Sequence, residues 1–183
     1  LQIDGVTLLE RMTNILMSSK VSEVLINRNT VGALDSLNDE CKFDKVEQIQ
    51  DIIANKGPLS GIHSALVNYP NANLLVVPVD MPFISTSSLN ELIAHATTKR
   101  VNCRFSFSGK NANGSKNKTS TLPLFIHNNS EVRKLLEHTL LHTNTLSVYH
   151  FCSLFPLLEV PLDNENELTN LNYPEQLNQL TNE

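Results

Sequence analysis

Cysteine is scarce in this 183-residue chain: Cys41, Cys103 and Cys152 are odd in number and far apart. That arrangement excludes a disulfide framework and a Cys-x-x-Cys metal site, so the three are expected to be ordinary reduced thiols. No apolar run approaches the roughly 20 residues that a membrane-spanning helix needs, and the chain does not open on a charged and then apolar leader. A cytoplasmic protein with no membrane partner is expected. Basic charge is also thin, with 14 Lys and Arg against 19 Asp and Glu. The one loose gathering, Lys110, Lys116 and Lys118, is diluted by asparagines. Without a basic patch, nucleic acid is a poor candidate for the main partner. There is no internal repeat, and no Ser–His or Cys–His spacing suggests a covalent nucleophile. The triplets at Asn113, Asn117 and Asn128 fit the glycosylation pattern, which has meaning only in a secreted chain.

The chain does have enough apolar residues, 40% of the total, to bury one core, and its length suits a single domain. Residues 74–83, Leu-Leu-Val-Val-Pro-Val-Asp-Met-Pro-Phe, are an apolar run that ends on one carboxylate. A run such as Leu74–Val77 reads as a strand buried on both faces, and its end as the carboxyl edge of a parallel sheet, where ligands bind. Asp80, fenced by Pro78 and Pro82, sits on short stiff backbone suited to holding Mg²⁺, which takes one or two carboxylates and completes its shell with phosphates and water. Taken alone, Asp80 could equally cap the helix after Ser85 or pair with a lysine.

Thr7-Leu-Leu-Glu10 is a capping box that opens a helix with Leu8, Met12, Ile15 and Leu16 as its inner stripe. Val24–Ile26 follows as a strand closing on Asn27, and a second strand around Lys45–Ile49 ends near Asp51. Gly57-Pro58 starts a helix with Ile62, Ala65, Leu66 and Tyr69 inward, Pro58 being tolerated in the first turn. After the Leu74 strand comes a helix carrying Leu89, Leu92, Ile93 and Ala96. This alternation predicts an α/β fold, a doubly wound, mostly parallel sheet with helices on both faces. In the second half, Cys103, Phe105 and Phe107 alternate as in a strand, and Leu122–Ile126 reads as another. Gly109–Ser120 between them, rich in Lys, Asn, Gly and Ser, reads as a solvated loop able to face an acceptor substrate. Helices over 131–142, near 145–154 and from Pro174, with a strand at 157–160, complete the prediction.

Four elements in order, Asn27 at a strand end, Asp51 before Gly57-Pro-Leu-Ser-Gly61, Pro78-Val-Asp80-Met-Pro82, and Asn170-Leu-Asn172-Tyr-Pro174-Glu175, resemble the molybdenum cofactor guanylyltransferases, a MobA-like nucleotidyltransferase family with a Rossmann-like fold. The likeness runs from Leu1 to about Leu180. It implies transfer of GMP from GTP to molybdopterin with Mg²⁺ as cofactor, and proteins of molybdoenzyme assembly as further partners. It also implies that Asn27, Asp51, Gly57 and Asp80 bind the nucleotide, that Asp80 holds the metal and acts in catalysis, and that Asn170 and Asn172 face the acceptor. Residues 1–100 would then be the nucleotide-binding half and 101–183 the acceptor-binding half of one domain. His138 and His142, four apart on one helix, could share a metal but lack an evident third ligand.

One departure from the resemblance stands out. The family's first strand and the following Gly-rich loop of the form Leu-Ala-Gly-Gly-x-x-x-Arg-Met-Gly-x-x-Lys are not in this sequence, whose Leu1–Glu10 matches what comes just after them. The resemblance places that strand at the centre of the sheet and gives its loop the task of cradling phosphate, so the expectation is a segment upstream of Leu1. Two alternatives stay open: a cytidylyl- or sugar-phosphate nucleotidyltransferase of the same fold, and an inactive nucleotide- or cofactor-binding module.

Overall fold

A computed structural model describes residues 1–29, 46–111, 114–173 and 176, with backbone alone over 108–111 and 114–117. The expected helix from Pro174, Glu175 of the terminal motif and Cys41 lie outside the described residues.

A short hairpin, β1 (Gln2–Ile3) and β2 (Val6–Thr7), leads into α1 (Leu8–Met17). The capping box forms as expected, with Glu10 N–H donating to Thr7 Oγ1 at 3.2 Å and Thr7 N–H to Glu10 Oε2 at 2.7 Å. Next come β3 (Val24–Asn27), β4 (Val46–Ile49), α2 (Pro58–Asn68), β5 (Leu74–Val76) and α3 (Thr86–Lys99). Beyond them lie β6 (Cys103–Asn111), β7 (Gly114–Ile126), α4 (Ser130–His142), α5 (Val148–Cys152), β8 (Leu158–Pro161) and a 3₁₀ turn at Glu165–Leu168.

Helices cover both faces of the larger sheet, ordered β5-β7-β6-β8. Strand β7 shows this in three consecutive residues: Leu124 and Ile126 enter a core built from Leu59, Leu66, Leu136, Leu140 and Phe151, on α2, α4 and α5. Phe125 points the other way, to Met12, Leu89, Leu92 and Phe105, as the two-residue period of a strand requires. The sheet is mixed. β6 pairs with β8, and β3 with β4, in parallel, whereas β7 runs antiparallel to both β5 and β6.

Two expectations need correction. The described residues of Gly109–Ser120, 109–111 and 114–120, are not a loop: β6 and β7 pair through them, from Ser106↔Thr119 to Asn111↔Gly114. Neither β5, which pairs only with 124–126, nor β8, which pairs only with 103–106, reaches that far. Among the described residues the ribbon therefore has no third strand, and it carries the polar composition of a loop while making strand hydrogen bonds. The second correction concerns Leu74–Val77, which is half-buried and not enclosed. Its partner β7 covers one edge, and the other borders an apolar slot of about 550 Å³ lined by every residue of β3 (24–27) and β5 (74–76) and by 77–79 after it. Successive side chains of a strand point to opposite faces, so a cavity touching every one of them runs along the strand edge. Above and below it lie Met12 and Leu16 of α1 and Ile62 and Ala65 of α2. The slot thus separates β3–β4 from the larger sheet, in the plane of both.

Candidate nucleotide site at the strand ends

The ends of β3 and β4 bring Asn27 and Asp51 together. Asn27 Nδ2 donates to Asp51 Oδ1 at 2.9 Å. Backbone pairing continues past Asn27, with Arg28 N–H donating to Ile49 O at 3.0 Å, and the Gln48 side chain adds a bond from Nε2 to Arg28 O at 3.3 Å, so the turn after β3 stays in register with β4. That register delivers a residue not singled out from the sequence. Asn29 Nδ2 donates to Asp51 Oδ2 at 2.7 Å, and Asp51 N–H donates to Asn29 Oδ1 at 3.0 Å. The signal was there in Asn27-x-Asn29, since residues two apart at a strand end share a face.

The glycine motif fixes the same group from below. Gly57 has φ +65°, a conformation that favours glycine, and precedes Pro58 at the start of α2. A Cβ at Gly57 would meet nothing within 4 Å inside the protein. Gly61 is different: a Cβ there would stand 2.5 Å from Asn27 Oδ1 and 2.6 Å from its Cγ. The second glycine of Gly57-Pro-Leu-Ser-Gly61 is thus where helix backbone must pass under the Asn27 amide.

Across the slot, whose lining also includes Pro78 and Val79, Asp80 follows β5. It does not cap α3; Ser85 does, accepting from Ser88 N–H at 3.1 Å, while Glu167 accepts Ser85 N–H at 2.9 Å. Asp80 Oδ2 accepts from Asn170 Nδ2 at 3.1 Å, and its backbone oxygen from Leu171 N–H at 2.7 Å. Asp80 Oδ1 is buried with no hydrogen-bond partner, which is costly for a carboxylate and fits an atom reserved for a cation. No group of three or more His, Cys, Asp and Glu side chains able to hold a metal occurs among the described residues, so a metal here would rely on one carboxylate and on its ligand's own oxygens. Asn170 is therefore in direct contact with Asp80. Asn172 is exposed, and its backbone N–H donates to Gln176 Oε1 at 2.7 Å.

His138 and His142 are exposed with ring centroids 4.8 Å apart. Cys103 and Cys152 are buried free thiols, each pushed up to about 11 by burial. They are inert packing groups in the native fold.

Residues 1–150 match the family profile described as the MobA-like NTP transferase domain. The chain belongs to the MobA-like NTP transferase family. A probable molybdenum cofactor guanylyltransferase of Flavobacterium johnsoniae is 28% identical over 149 residues, 80% of this chain and 73% of that protein. One of the same description from Clostridium perfringens is 41% identical over 70 residues, which is 38% of this chain and 32% of its own length. The match thus spans about a third of that relative. The crystal structure of 4-diphosphocytidyl-2C-methyl-D-erythritol synthase from Anaerococcus prevotii superposes with a TM-score of 0.76 at 12% identity, covering 100% of this chain and 88% of that one. At that identity the likeness shows the Rossmann-like nucleotidyltransferase fold alone. No helix among the described residues is long and apolar enough to cross a membrane.

Proposed function

We propose that the chain is the nucleotidyl-transfer domain of a molybdenum cofactor guanylyltransferase, moving GMP from GTP to the terminal phosphate of molybdopterin. The observation that carries this reading is the Asn27–Asp51 pair, joined at 2.9 Å at the ends of two parallel strands. It presents a carboxylate and an amide side by side, a combination suited to a base edge with adjacent N–H donors and a carbonyl. The backbone of Gly57 would approach the same nucleotide. Asp80, through its unpartnered Oδ1, would hold Mg²⁺, which when bound neutralises phosphate charge.

The terminal phosphate oxygen of the acceptor would form a bond to the α-phosphorus of GTP as the bond to the β-phosphate oxygen breaks and pyrophosphate leaves. Two anions must meet in line, so the protein's share is mostly alignment. Asn170 would steady Asp80 and, with Asn172, orient the acceptor by uncharged groups that do not repel phosphate. On this reading residues 1–100 hold the nucleotide and 101–183 the acceptor, and the slot between β3 and β5 seats the extended strand that the family resemblance implies. Unpaired strand edges facing an apolar slot support that seat, since buried backbone groups require partners.

Titration with GTP, CTP and ATP in the presence of Mg²⁺ tests the reading. GTP should bind at least about tenfold tighter than CTP, the value of one hydrogen bond to a charged group. Tighter binding of CTP would overturn the guanylyl assignment.

A further inference from the structure

We propose that Asn29 is a positioning residue that sets base selectivity by clamping Asp51, an inference that rests on the base-site reading above. Asn29 grips one residue at two points: its Oδ1 accepts the Asp51 backbone N–H at 3.0 Å and its Nδ2 donates to Asp51 Oδ2 at 2.7 Å. Asn27 holds the other oxygen, Oδ1, at 2.9 Å. A carboxylate offers about four lone-pair sites on its two oxygens. Among the described residues one site on each oxygen is taken by an amide, so turning the carboxylate would break both bonds, and one site on each remains.

Two adjacent acceptors fixed in one plane match two adjacent parallel N–H donors, the ring N–H and exocyclic amine of guanine. A base with a single donor on that edge uses only one of them. Asn29 would thus make the second Asp51 oxygen count, although it touches no base itself. Without Asn29 the carboxylate could still take the first donor but would be free to rotate away from the second. Asn29 is exposed and lies beyond the end of β3, so its replacement should leave the fold intact.

Inosine triphosphate, which is GTP without the exocyclic amine, isolates this effect. GTP and ITP would be titrated, with Mg²⁺, into the wild-type chain, Asn29→Ala and Asn29→Asp, with thermal unfolding recorded for each. Asn29→Asp keeps the acceptor for the Asp51 backbone N–H but sets a second carboxylate against Oδ2 in place of the donor, so it breaks the carboxylate clamp by repulsion while keeping support of the turn. The wild type should prefer GTP to ITP by about tenfold or more, the scale of one hydrogen bond to a charged group. Both variants should lose most of that preference, through weaker GTP binding and nearly unchanged ITP binding. A preference retained in either variant, or equal loss of GTP and ITP affinity, overturns the clamp while leaving the base-site reading standing. Absence of GTP binding by the wild type overturns both.

Discussion

Replacing Gly61 with alanine puts one methyl group where the structure has no room, and the consequence can be worked out atom by atom. The new Cβ would lie 2.5 Å from Asn27 Oδ1, 2.6 Å from Cγ and 3.1 Å from Cβ. Helix backbone cannot yield easily, but the Asn27 amide is at the exposed end of β3 and can swing out. Doing so breaks its 2.9 Å hydrogen bond to Asp51. Alanine in place of glycine within α2 stabilises the helix by about 1 kcal/mol, and losing an exposed hydrogen bond to a charged group costs about the same or somewhat more. Stability should therefore change by no more than about 1 kcal/mol, a few degrees in Tm for a domain of this size. GTP affinity should nevertheless fall about ten- to a hundredfold, because the displaced amide no longer shares the base site with Asp51. Thermal unfolding and GTP titration of Gly61→Ala measure the two quantities separately. Wild-type GTP affinity in a variant of unchanged Tm would refute the reasoning, and so would a collapse of stability.

Three other perturbations have defined outcomes. Asp80→Ala should abolish Mg²⁺-dependent turnover with little loss of Tm, since it removes an unpartnered buried oxygen, one hydrogen bond from the exposed Asn170 and no core volume; turnover retained by the variant would refute the metal role. His63 is 5% exposed with an unpartnered Nδ1, and burial lowers its pKa below 6.5, outweighing the opposing pull of Glu137. A histidine buried neutral contributes stability that is present above the unfolded-state pKa and lost as pH falls below it, so denaturant unfolding should show stability declining below about pH 6.5. His63→Gln should flatten that decline, and an unaltered slope would assign it elsewhere. Amides of β3 and β5 that face the slot should exchange with solvent faster than those of the β6–β7 ladder, whose strands pair along most of their length. A family member's first strand fused ahead of Leu1 should slow their exchange and raise Tm; failure to do either would remove the slot as a strand seat.

Residues near one another in sequence determined their own structure. The Thr7–Glu10 box, Gly57-Pro58, and the apolar spacings of 62–66 and 89–96 act within one or two helical turns, and the helices fall where those signals put them. Strand ends at Asn27 and near Asp51 and Asp80 were legible for the same reason. An ordered set of short motifs then carried the family resemblance, which the profile match over 1–150 bears out. Tertiary structure decided what needs a distant partner. The polar stretches 109–111 and 114–120 are extended because β6 and β7 pair with each other, and no local pattern of Lys, Asn and Ser encodes that. Leu74–Val77 is half-open because, among the described residues, an apolar slot and not another strand lies along one of its edges. Asn170 meets Asp80 across 90 residues of chain, Gly61 passes beneath Asn27, and Asn29 reaches Asp51 because the β3–β4 register continues beyond the last strand residue. Composition and period report which face a side chain occupies; which residue waits on the other side is settled only when the sheet and its helices close around one another.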